Sequence, residues 1–149
     1  MKVVPRKKAK ALKGDRSLSY QLITPSNVGS RKFIITIVDV RPGGSTRLHE
    51  HRTVESMYYI LEGRGEALSG REKKVVGPDT AVYFPAGSTH GIRNVGRTRL
   101  RYIHVEQSIM DLDRGGDRPC RRRPRSLWTP LRSTGQEPLT CTAANSRAA

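Results

Sequence analysis

The chain has 149 residues, of which 35% are hydrophobic and 5% aromatic, and a formal net charge of +15. That length suits one folded unit with ends outside it and excludes two full-sized cores. The charge is spread as +6 over residues 1–13, +5 over 14–110 and +4 over 111–149, so most of it lies outside the central segment and marks the ends rather than the core.

Residues 1–13 contain Lys2, Arg6, Lys7, Lys8, Lys10 and Lys13 and no acid. They are expected to form a basic flexible arm. Clustered Lys and Arg displace phosphate counterions, so nucleic acid is a conceivable partner through the basic termini alone. No nucleic-acid-binding motif follows the arm.

Residues 17–24 read as a first strand, closed by Pro25, Ser26 and Asn27. Residues 31–40 are the clearest strand, rich in β-branched and aromatic side chains. They are apolar on both faces, with Phe33, Ile35 and Ile37 on one and Ile34, Val38 and Val40 on the other. Pro42-Gly43-Gly44 ends the strand as a turn. Strands are then expected at 46–51, 56–61, 64–69, 72–76, 80–84, 91–94 and 99–106. Phe84-Pro85-Ala86-Gly87 fits a type I turn, with Pro second and Gly fourth. Residues 14–110 contain no amphipathic helical pattern. Many short strands separated by Gly and Pro predict an all-β sandwich or barrel.

Residues 111–149 are rich in Arg, Pro, Ser and Thr and poor in Val and Ile. Such a segment buries too little apolar surface to offset its chain entropy, so a disordered tail is expected. Trp128 lies there, as an incidental residue or a short docking peptide. Cys120 and Cys141 also lie there, without C-x-x-C spacing, which argues against a disulfide framework and for a reducing setting. The N-terminus lacks the apolar stretch of a signal peptide, and no run is long enough for a membrane span. A cytoplasmic location is expected.

The chemistry concentrates in two stretches. In a strand, His49 and His51 point to one face and Glu50 to the other. A third histidine, His90, follows the Pro85-Ala86-Gly87 turn. Three imidazoles arriving from two segments suit one transition metal, and do not say which.

These stretches resemble the paired motifs of the cupin superfamily, small single-domain proteins of the cupin-2 type. Gly43, His49, His51 and Gly63 match the first motif, and Pro85, Gly87, His90 and Asn94 the second. The resemblance implies a double-stranded β-helix, or jelly roll, over residues 14–110. It implies one divalent metal (Fe, Mn, Zn, Ni or Cu) held by His49, His51, His90 and Glu55. It also implies a homodimer. Two positions depart from the pattern. Ser56 stands where the family's glutamate falls, and the nearest carboxylate, Glu55, is one residue early. A one-residue slip turns a side chain to the opposite face. Glu55 would reach the metal only through a tight loop or a β-bulge. The rival is a three-histidine site completed by water or Ser56. Asp79 stands at the second motif's opening glycine, which predicts a reshaped turn.

On the strand at 99–106, Leu100, Tyr102, His104 and Glu106 share a face. If that face is inward, His104 is a candidate general acid or base and Tyr102 a candidate substrate donor. Tyr58 and Tyr59 must point opposite ways, and Asn94 is expected to bond turn backbone. Three functions remain open: a metalloenzyme acting on a small polar or anionic metabolite (dioxygenase, isomerase, decarboxylase or lyase), a non-catalytic metal-dependent binding or sensing domain, or an interaction protein working through its basic ends.

Overall fold

The computed structural model describes residues 1–108. The tail expected at 111–149, with Trp128 and both cysteines, lies outside the described residues. Within them are nine strands: β1 Ala11–Gly14, β2 Ser17–Ile23, β3 Phe33–Val40, β4 Val54–Glu62, β5 Gly65–Ser69, β6 Glu72–Val76, β7 Ala81–Phe84, β8 His90–Asn94 and β9 Leu100–Ser108. A single-turn helix, Pro25–Val28, is capped by Thr24 and Asn27.

The strands form two antiparallel sheets, one in the order β1-β2-β3-β9-β4-β7 and one in the order β6-β5-β8. The core between them takes Val38, Val40, Tyr58, Ile60, Phe84, Leu100 and Tyr102 from the larger sheet, and Ala67 and Ile92 from the smaller. Period-two alternation produces this directly. On β4, Ser56, Tyr58 and Ile60 are buried while Glu55, Met57 and Tyr59 face the other way. On β9 the inward set is Leu100, Tyr102, His104 and Glu106, as the alternation predicts. The Tyr58 ring lies 4.7 Å from both Phe84 and Tyr102. Each such aromatic pair adds about 0.5–1.5 kcal/mol beyond area burial.

The basic N-terminal segment is not a free arm over its whole length. Ala11–Gly14 pairs with β2. Ahead of it, Arg6 bonds Asp39 at 3.1 Å and lies 4.9 Å above the Tyr20 ring. Asp39 also receives a two-pronged bond from Arg101, at 2.6 and 2.8 Å, directly across the β3–β9 register. Burial works against ionisation of Asp39, but Arg101, Arg99 and Arg6 together hold its carboxyl below the usual range.

The segment expected as a strand at 46–51 is less regular. It touches β8 through the bridges Ser45↔Arg93 and His49↔His90, whose registers differ by one residue. The Thr46 hydroxyl fills the slip by accepting from Ile92 N at 3.0 Å. The turn before β8 also differs. Ser88 N bonds Pro85 O, and Gly87 has φ +80°, so the turn runs Pro85 to Ser88 with glycine third, a type II pattern. Asp79 adopts φ +58°, a region Asp tolerates better than most residues. Gly63 is required outright: it has φ +83°, and a Cβ there would collide with Arg99 O.

Asn94 closes this end of the barrel. Its side-chain amide donates to Val40 O and Thr98 O, each at 2.8 Å, and its oxygen accepts from Gly96 N at 2.9 Å. Asn94→Ala strands all three backbone groups and is expected to destabilise the fold by about 2–4 kcal/mol in denaturant titration. A loss below about 1 kcal/mol contradicts this role.

Candidate metal centre

The chain's four histidines converge inside the barrel. His49 and His90 pair backbone to backbone, His49 N to His90 O at 3.1 Å and His90 N to His49 O at 2.8 Å. Their rings are 4.5 Å apart. His51 stands 4.8 Å from His49 and 6.0 Å from His90, ring to ring. Its carbonyl accepts from Gly87 N at 2.7 Å, so the second motif's turn holds the first motif's backbone. Phe84 stacks on His90 at 4.7 Å. His104 enters from β9, edge-on to Tyr58 at 4.8 Å.

Hydrogen bonds fix which nitrogens are free. His49 Nδ1 lies 2.8 Å from Arg47 O, and His90 Nδ1 2.9 Å from Ser88 O. A carbonyl only accepts, so each Nδ1 carries the proton and each Nε2 keeps its lone pair, the usual preparation of a metal-binding imidazole. His90 Nε2 is buried without a hydrogen-bond partner.

The carboxylate in reach is Glu106. Its Oε1 lies 3.6 Å from His51 Nε2 and 3.4 Å from His104 Nε2. One ligand atom each from His49, His51 and Glu106 falls within 4.8 Å of the others. Ligands on opposite sides of one ion stand about 4.4 Å apart, so only a small side-chain adjustment separates this set from coordination. The donor set of imidazoles and one carboxylate fits a divalent transition metal.

Glu55 is not brought into this group. β4 runs in unbroken register with β9 from Val54 to Ile60, with no bulge to re-aim it. Glu55 points away and accepts from Tyr83 O–H at 2.7 Å. The inward residue is Ser56, 2% exposed, and its cross-strand partner is Glu106. The carboxylate therefore arrives from the neighbouring strand, opposite the position where the first motif's glutamate falls. Tyr102 is 1% exposed and bonds toward Thr46, so it sits in the core rather than on the centre. Burial raises its hydroxyl far above the usual range. His104 faces the centre with its Nε2 buried and without a hydrogen-bond partner.

The electrostatics suit cation binding. Burial, reinforced by neighbouring histidines, lowers His90 and His104 to about 4 and also lowers His49. Burial opposes ionisation of Glu106, but the His51 bond and the surrounding imidazoles bring it down to about 2. At neutral pH the cluster thus offers uncharged His49, His90 and His104 beside an ionised carboxylate.

The model of the cupin domain matches residues 36–106. The chain is 35% identical over 105 residues to the uncharacterized protein MJ1618 of Methanocaldococcus jannaschii, covering 65% of this chain and 84% of that one. It belongs to the cupin family. Several other curated relatives are longer proteins, of which it spans about a sixth. Among solved structures it is similar to a predicted oxalate decarboxylase from Thermotoga maritima, with TM-score 0.65 and 20% identity over 72% of this chain and 99% of that one. It is also similar to the polyketide cyclase RemF from Streptomyces resistomycificus, with TM-score 0.60 and 28% identity over 74% of this chain and 86% of that one.

Glu106→Gln is expected to weaken zinc or cobalt binding at least about tenfold in titration calorimetry, while Glu55→Gln leaves it unchanged. The reverse order of effects returns the ligand role to Glu55.

Proposed function

We propose that the chain holds one divalent transition metal ion through His49, His51, His90 and Glu106 and acts there, as a metalloenzyme, on a small polar or anionic metabolite. The observation that carries this is the pair of Nδ1–carbonyl bonds that leave the Nε2 atoms of His49 and His90 free beside an ionised carboxylate. A metal with open positions polarises a carbonyl or lowers the pKa of bound water. The chain's own residues supply the rest. Glu106 offsets the ion's charge. Phe84 and Tyr58 hold His90 and His104 in place and keep water out. His104, uncharged at neutral pH, bonds the substrate through Nε2 and takes or gives a proton there. The names of the two similar structures, a polyketide cyclase and a predicted oxalate decarboxylase, support small-molecule chemistry in a barrel of this kind. Among the described residues no helix is long and apolar enough to cross a membrane.

Elemental analysis tests the centre. Purified protein is expected to carry a transition metal, and His49→Ala, His51→Ala and His90→Ala to lose it while remaining folded, with His90→Ala less stable because Phe84 stacks on that ring. Undiminished metal in all three variants contradicts the site. Turnover that stops on chelation identifies an enzyme, and metal-dependent ligand binding without turnover identifies a binding domain.

A homodimer is the second part of this reading, and the larger sheet's outer face favours it. Ile37, Ile103 and Tyr59 stand side by side in register, as do Ile35, Val105 and Met57. Phe33 and Tyr83 on the same face are 46% and 59% exposed. A half-solvated antiparallel strand alternates with polar residues instead, so this face needs cover. The covering strand positions are Ile35 and Ile37, because Val38 is in the core and Ile34 lies opposite Glu106. Light scattering is expected to show a dimer that Ile37→Lys separates without loss of metal. A wild-type monomer at high micromolar concentration contradicts it.

A further inference from the structure

Metal ligation accounts for His90 Nε2 but not for every stranded polar atom inside the barrel. Thr36 Oγ1 and Ser56 Oγ are also buried without hydrogen-bond partners, and His104 Nε2, likewise without a hydrogen bond, has only the Glu106 carboxylate near it, at 3.4 Å. Thr36 is 4% exposed and Ser56 2%. The register puts them together. Thr36 faces His104 across β3–β9, and Ser56 faces Glu106 across β4–β9. They form one polar wall on the larger sheet, beside Glu106. A buried hydroxyl left dry forfeits its hydration, and valine has threonine's shape without that cost. Such a hydroxyl is satisfied only when a water or a ligand supplies the missing bond.

The partner's charge is bounded by what else is buried. The buried polar side chains among the described residues are Thr24, Thr36, Ser45, Ser56, His90 and Asn94, and none is Lys or Arg. Arg99 and Arg101 face Asp39 and Glu62, and Arg93 bonds Glu66. A doubly charged phosphate inside the barrel would meet hydroxyls and a carboxylate, with only a metal to offset it. A single carboxylate, with two oxygens to accept from two hydroxyls, matches both the donors and the charge.

We propose that Thr36, Ser56 and His104 form the ligand-binding wall of the barrel and that it takes a small monocarboxylate rather than a phosphorylated compound. The charge preference rests on the metal reading above; the role of the hydroxyls does not.

Titration calorimetry on the full chain loaded with zinc, using glycolate, pyruvate and inorganic phosphate, tests the ligand class. Glycolate or pyruvate is expected to bind, with phosphate weaker by at least about tenfold. Thr36→Val should weaken the carboxylate by about tenfold and leave zinc affinity unchanged. Thermal unfolding of the metal-free, ligand-free protein gives a separate readout: Thr36→Val is expected to melt higher than wild type. Equal or tighter phosphate binding, no binding of either carboxylate, or an unchanged carboxylate affinity in Thr36→Val overturns the proposal. So does a lower melting temperature for Thr36→Val, which would show the hydroxyl already satisfied by a fixed water. If zinc does not bind, the metal reading and the charge preference fall together. The metal-free melting comparison then decides the wall alone, a rise keeping it and a fall removing it.

Discussion

The backbone pair between His49 and His90 is the constraint on which the rest depends. Two hydrogen bonds join segments far apart in the chain, and both residues carry an imidazole into the same interior. Gly87 adds a third tie by donating to His51 O, and Asn94 N a fourth by donating to Gly44 O. The two histidine-bearing stretches are thus zipped together along their length. Non-local contacts of this kind cost loop entropy and form only when the surrounding core rewards them. Here that reward is the Tyr58, Tyr102 and Phe84 cluster, which packs directly against His90 and His104. Core and site are one assembly, so the imidazoles are oriented before any ion arrives.

The electrostatic balance follows from that packing. Burial of His49, His90 and His104 keeps them uncharged, and uncharged imidazoles tolerate each other at short range. Glu106 is then an ionised carboxylate beside these three neutral imidazoles, an arrangement poised for a cation. The charged residues outside are kept apart from it. Asp39, Glu62, Arg6, Arg99 and Arg101 neutralise one another on the sheet's far face. These three arginines are therefore spent on acids away from the centre.

The cupin fold was legible because its signals are local. Strand alternation set Tyr58 and Tyr59 on opposite faces, and motif spacing singled out His49, His51, His90 and Asn94. The carboxylate that the structure places beside these histidines was not, because its placement is a matter of register. Proximity along the chain favours Glu55, next to Ser56. Only the pairing of β4 with β9 shows that Ser56 stands opposite Glu106 and that Glu55 turns toward Tyr83. Alternation had already set Glu106 on the face of His104, a signal of direction without partner. The strand expected at 46–51 loosened where the Thr46 hydroxyl replaced a ladder bond, a substitution that composition does not announce.

Anomalous diffraction from crystals of the metal-loaded protein tests the centre most directly. One peak is expected inside the barrel, bonded by the Nε2 atoms of His49 and His90, by His51 and by a Glu106 oxygen, with Glu55 still on Tyr83. A peak bonded by Glu55, or a metal held away from these histidines, would contradict the account.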